Sequence, residues 1–195
     1  MKRLVLIVAA LAAMITIGCS SNRKSEGMMD DPETHFIQGK KYWDKGEYDK
    51  SKEEFELAKS LDDEFGPAYS GLAMVAAAQG KIDEAEDLVD DGIKYCDGKH
   101  PIAFIAKGIV LEYKNKGSED EDWWEDAVEA YQEAMEIAPS EGEPHYRSGH
   151  TLKMAYKFKM AADAFKKTLE LKNGYEAEAD AEWAVVQKIE RAAPG

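Results

Sequence analysis

The stretch that decides the fold is Gly66–Lys99, GPAYSGLAMVAAAQGKIDEAEDLVDDGIKYCDGK. Its small residues Ala73, Ala76, Ala85 and Gly92 alternate with the bulky Tyr69, Leu72, Ile82, Val89 and Tyr95 at three- and four-residue spacing. That spacing gathers side chains on one helical face, and small residues on such a face let a second helix come close. The pattern turns at Lys81, so the stretch predicts a hairpin of two short helices in tight contact.

The same chemistry returns along the chain with a period of about 34 residues, enough for two helices and two turns. In the first helix an aromatic or imidazole recurs as His35, Tyr69, Phe104 and His145. A small residue follows four later (Gly39, Ala73, Gly108, Gly149), and three after that come Tyr42, Ala76, Leu111 and Leu152. In the second helix Ser51, Ala85, Ala127 and Ala161 precede Phe55, Val89, Tyr131 and Phe165, and then Ala58, Gly92, Ala134 and Thr168. Hairpins end near Asp63, Asp97, Pro139 and Asn173.

In this order of small residue, aromatic, alanine and closing proline, residues 32–175 resemble the tetratricopeptide repeat (TPR) family. The resemblance implies an all-α, right-handed solenoid of four hairpins (32–65, 66–100, 101–141 and 142–175). Its departures are local. His35 and His145 stand where the family favours a Trp-like residue, only Pro139 keeps the closing proline, and Ser51 and Thr168 replace alanines, which is expected to loosen the closest contacts. A hairpin cannot bury both faces alone, so each stacks on the next and the last needs a lid. Residues 176–192 supply one, because Ala179, Trp183, Val186 and Ile189 form an apolar stripe on a charged helix.

The third repeat is long, 41 residues from Phe104 to His145, with the excess in KNKGSEDEDWWE, residues 114–125. Seven extra residues are about two helical turns, so the simplest expectation extends the first helix, the second, or both. Trp124 is in register with Tyr48, Ile82 and Phe158 and belongs to the core; Trp123 has no such place and is a candidate secondary contact. The carboxylates Glu119–Asp122 would either meet a basic partner or form a solvated helix start.

The N-terminus reads as an address. Lys2 and Arg3 precede an apolar run from Leu4 to Ile17, about 14 residues, short for a bilayer span and suited to a secretory signal. Thr16-Ile17-Gly18-Cys19 resembles a bacterial lipobox, which implies cleavage after residue 18 and a lipid on Cys19. Ser20 stands where the family's inner-membrane retention signal places Asp, which implies outer-membrane sorting. Residues 19–31 then form a polar tether.

Lys and Arg total 25 against 39 Asp and Glu, a net charge of −14. Such a surface repels phosphate, which excludes stable nucleic-acid binding. Cys19 and Cys96 are the only cysteines, so no disulfide framework exists. The four histidines have no metal-ligand spacing, and the acidic run lacks the spaced ligands of a calcium loop. No phosphate-cradling glycine loop, nucleophile elbow or activated cysteine is present, so neither cofactor nor catalysis is expected.

In a solenoid the first helices line the concave side, and residues one step beyond the packing stripe point into it. These include Phe36, Lys40, Trp43, Met74, Ile105, Ile109, Tyr113, Tyr146 and His150, an aromatic and apolar set in an acidic chain. Either they form a groove for a partner protein, or Met74, Ile105 and Ile109 pack between adjacent first helices. The family's carboxylate clamp of Lys, Arg and Asn is not matched, since Lys40 and Lys153 are far apart in the array. The expectation is a lipid-anchored envelope scaffold that docks a partner segment in the groove. The resemblance implies jobs such as pilus or secretin assembly, or adapting cell-wall enzymes. The alternative is a periplasmic binding protein for a small apolar or amphipathic molecule, seated between Met74, Ile105, Ile109 and Tyr146 with His150 at its polar end.

Overall fold

The computed structural model describes residues 31–192. The expected signal segment and Cys19 lie outside the described residues, as does the tether up to residue 30. Within them all regular structure is helical, in four antiparallel hairpins: α1 (Pro32–Asp44) with α2 (Tyr48–Leu61), α3 (Gly66–Ala78) with α4 (Ile82–Tyr95), α5 (Pro101–Asn115) with α6 (Glu125–Ile137), and α7 (Gly142–Met154) with α8 (Phe158–Leu171). A last helix, α9 (Glu176–Ala192), packs on α8. Each hairpin stacks on the next, and the first helices α1, α3, α5 and α7 touch in succession, giving the right-handed solenoid its inner wall.

The small-residue rule explains how the helices come so close. Phe55 of α2 fills the space over both Gly39 and Gly71, where an added Cβ would sit 2.5 and 2.6 Å from its ring. Tyr131 of α6 covers Gly108 in the same way, at 2.4 Å. The expected loosening at Ser51 and Thr168 does not occur. Both are fully buried, with the Ser51 hydroxyl donating to the Gly39 carbonyl at 2.9 Å and the Thr168 hydroxyl to that of Ala164 at 3.2 Å. A hydroxyl that finds a helix carbonyl is nearly as compact as a methyl and leaves no unpaired group behind.

Helix starts follow local chemistry. Asp31 caps α1, its carboxylate accepting from the Thr34 N–H at 2.9 Å, and Pro32 fits the first helical position. His100 caps α5 by accepting from the Ile102 N–H at 3.3 Å, again just before a proline. That contact gives His100 a structural role.

The long third repeat differs from expectation. α5 has 15 residues against 13 in α1, α3 and α7, and α6 has 13, so most of the insertion is loop rather than extended helix. Gly117 adopts φ 84° after α5 ends, and four successive carboxylates gain nothing from a helix that has no stack to pack on. Trp124 is buried at the start of α6, in register with the core as expected, and Trp123 packs half-buried against the same cluster. On α9, Ala179 and Val186 are fully buried and Trp183 partly so, whereas Ile189, expected in the same stripe, is exposed.

Candidate partner-binding site

The concave side is narrower than an open trough. α3 is buried along almost its whole length, pressed between α1, α4 and α5. Met74 and Ile105 therefore lie in the core, and Phe36 packs on Phe55 and Phe65 with ring centroids 5.8 and 6.1 Å apart. These three of the expected groove residues face neighbouring helices, not a partner. Small residues draw the first helices so close that positions one step beyond the stripe are still inside the contact. Of the small-molecule site expected between Met74, Ile105, Ile109 and Tyr146 with His150 at its polar end, Met74 and Ile105 are thus taken into the core, while Ile109, Tyr146 and His150 share a cavity.

The other six come together. Trp43, Ile109, Tyr113, Tyr146 and His150 line one cavity of about 430 Å³, with Tyr48, Glu112, Arg147, Tyr175 and Glu178 among its other walls. Ile109 gives its edge at 3% exposure, while Tyr113, at 38%, is the accessible ring. Trp43 lies against Tyr48 at 5.1 Å, and Tyr146 stacks on Tyr175 at 5.0 Å. Burial, with Tyr48 next in weight, pushes the Tyr113 phenol up to about 12. Burial also lowers the His150 pKa, with Glu112 working against it.

Lys40, the sixth, holds one side of this cavity shut. Its ammonium lies 2.5 Å from the Glu143 carboxylate, 103 residues away in sequence. Arg147, one turn along α7 from Glu143, reaches Glu143 at 3.2 Å and Asp44 of α1 at 3.5 Å. The Tyr175 hydroxyl lies 2.9 Å from both Asp44 and Glu143 and donates its single proton to one of them at a time. Five side chains thus clasp the first hairpin to the last across the concave side. Burial alone would raise the Glu143 pKa, but Lys40 and Arg147, with hydrogen bonds from Lys40 and Tyr175, more than offset it and hold the carboxyl at about 2.

A second polar layer lies deeper. Thr151 donates to Glu112 at 2.6 Å, and the Tyr131 hydroxyl and Arg147 Nε are buried without a protein partner. Lys153, expected in the groove far from Lys40, instead pairs with Glu182 of the cap. Both of these lysines are thus neutralised by carboxylates.

The sequence reading missed Asp44, Glu143, Arg147 and Tyr175. A signal was available: Lys40/Asp44 and Glu143/Arg147 are complementary i,i+4 pairs on first helices, whose inner faces are otherwise apolar. Among the described residues no group of His, Cys, Asp or Glu is placed to hold a metal ion, and no helix is long and apolar enough to cross a membrane. Burial, then Asp97, pushes the Cys96 thiol up to about 11, far from a reactive thiolate.

No family model and no curated protein sequence matches the chain. Solved structures do. TTC0263 of Thermus thermophilus, described as a thermophilic TPR protein, is 16% identical over 80% of each chain with a TM-score of 0.65. PilF of Pseudomonas aeruginosa is 19% identical, over 82% of this chain and 69% of that one, with a TM-score of 0.58. Naa15/Naa10 bound to HypK-THB is 16% identical, over 82% of this chain and 23% of that one, with a TM-score of 0.55. Four stacked hairpins with small residues under aromatic ones, closed by a capping helix, give this chain the fold of the tetratricopeptide repeat proteins.

Proposed function

We propose that this protein is an adaptor of the bacterial envelope, tethered by a lipid on Cys19, that holds a segment of a partner protein in its concave cavity. The observation that carries the reading is the cavity itself. Its aromatic walls are Trp43, Tyr113 and Tyr146 of first helices, joined by Tyr48 at the start of α2 and Tyr175 just before α9, it opens at the accessible Tyr113, and no catalytic constellation lines it. Aromatic side chains with a polar tip are the usual anchors of protein interfaces. The fold supports such a role, since Naa15/Naa10 is seen with HypK bound. The address read from Met1–Cys19 would confine the cavity to a membrane surface and raise the effective concentration of envelope partners. Outer-membrane sorting belongs to the same proposal.

The test is photocrosslinking in cells from position 113, with exposed Glu170 on α8 as control. Ile109 is too buried to carry a probe. The expected result is a discrete protein adduct from position 113, lost with Tyr146→Ala, and none from position 170. A cavity of this size also admits the small apolar or amphipathic molecule of the alternative reading. A bound compound co-purifying with the wild type, with no protein adduct at 113, would replace the adaptor reading by that one.

A further inference from the structure

The repeat pattern is broken in two places, and the fold brings them together. In the first two hairpins the turn between helices closes on a glycine in the left-handed region, Gly46 (φ 72°) and Gly80 (φ 77°). Each donates its N–H three residues back, to Trp43 or Ala77, and the next residue donates five back, to Tyr42 or Ala76. The α7–α8 turn makes the same two bonds, from Tyr156 to Lys153 and from Lys157 to Leu152, but puts Tyr156 in the left-handed position at φ 59°. A bulky side chain is strained there, and glycine is what this helix ending favours. Core packing does not explain the substitution, because Tyr156 is 80% exposed and meets Phe158 edge-on at 6.1 Å.

The second break is the insertion of the third repeat. Its loop folds against this turn, so that residues 118–121 and Trp123 on one side and residues 155–157 on the other line an open cleft of about 360 Å³. Lys157 on the rim lies over the Trp124 ring at 5.1 Å. Glu119, Asp120 and Glu121 stand exposed opposite Tyr156, and among the described residues no Lys or Arg pairs with them.

We infer that this cleft is a second docking surface, separate from the concave cavity, for a Lys- or Arg-bearing segment of a partner protein. The Tyr156 ring and the half-buried Trp123 offer π faces to a cation, and the carboxylates opposite complement its charge. The same carboxylates repel phosphate-rich partners and anionic membrane. The aromatic cleft gives the cation a seat that a solvated acidic loop would lack.

The test uses the full chain in detergent micelles and fluorescence anisotropy of a labelled nonapeptide alternating Arg and Leu, with its Glu-for-Arg counterpart as control. The Arg peptide is expected to bind and the Glu peptide not to. Tyr156→Gly and Trp123→Ala should each weaken binding roughly five- to thirty-fold, while Asp87→Asn with Asp90→Asn on α4 should change it less than about twofold. Tyr156→Gly restores the residue of the first two hairpin turns, so it keeps the fold and the test intact. Arg-peptide affinity indifferent to Tyr156→Gly would overturn the inference in favour of diffuse attraction to the acidic surface. A dimer in sedimentation that Tyr156→Gly dissociates would also overturn it, making a second copy of the chain the occupant.

Discussion

At the scale of single residues, the concave side is governed by charges that neutralise one another. Glu143 is the pivot, since Lys40, Arg147 and Tyr175 all converge on it. Its folded pKa of about 2 lies below the ordinary 4.5, so the folded state prefers the carboxylate. The stabilisation this gives is complete above about pH 4.5 and is lost as the pH falls towards 2. Glu143→Gln should lower the urea-unfolding free energy by about 2–4 kcal/mol at pH 7, because Lys40 loses its carboxylate partner and Arg147 one of its two. The gap between variant and wild type should close as the pH drops below 4.5; a gap independent of pH down to 3 would mean that Glu143 is not ionised in the clasp. The sequence made the aromatic members of this face legible, because apolar side chains at helical spacing announce a shared surface. It did not make Glu143 legible, because a charged residue on a helix reads as solvated until the curvature of the array brings an opposite charge to it.

Among the elements, the contacts within hairpins were the most legible part of the chain. A glycine followed by an aromatic on the partner helix specifies a distance, and Gly108 beneath Tyr131 shows how strictly. Tyr131 is fully buried and cannot swing aside, and a Cβ on Gly108 would lie 2.4 Å from its ring. Alanine is favoured over glycine by about 1 kcal/mol in a helix, yet Gly108→Ala should lose about 2 kcal/mol net, because α5 and α6 must separate. A thermal melt several degrees below wild type is the expected reading; an unchanged or raised melting temperature would show that the hairpin gives way easily. The insertion was less legible. Counting residues gave two turns of helix, whereas Gly117 and the carboxylate run made a loop, since a helix projecting beyond the stack would have no apolar face to bury. Tyr156 was hidden for another reason: its meaning lies in the glycine it replaces, which only aligned turns reveal.

For the whole molecule, four repeats suffice to bring the first hairpin back to the last. Repeat stacking sets the curvature, and the clasp of Lys40, Asp44, Glu143, Arg147 and Tyr175 closes one side of the concave space. A partner segment would therefore meet a framed cavity with Tyr113 at its opening rather than a continuous trough. The sequence pattern alone did not foretell this, because it fixes contacts between neighbouring repeats and is silent about the first and the last. The closed array is what gives the cavity its walls, and a double-mutant cycle tests it most directly. Lys40→Met, Glu143→Gln and the double variant would be unfolded in urea at pH 7. Direct pairing predicts a coupling of about 1–3 kcal/mol between residues on opposite ends of the solenoid. Effects that add to within about 0.3 kcal/mol would contradict it, and would leave α1 and α7 apart in solution with an open groove between them.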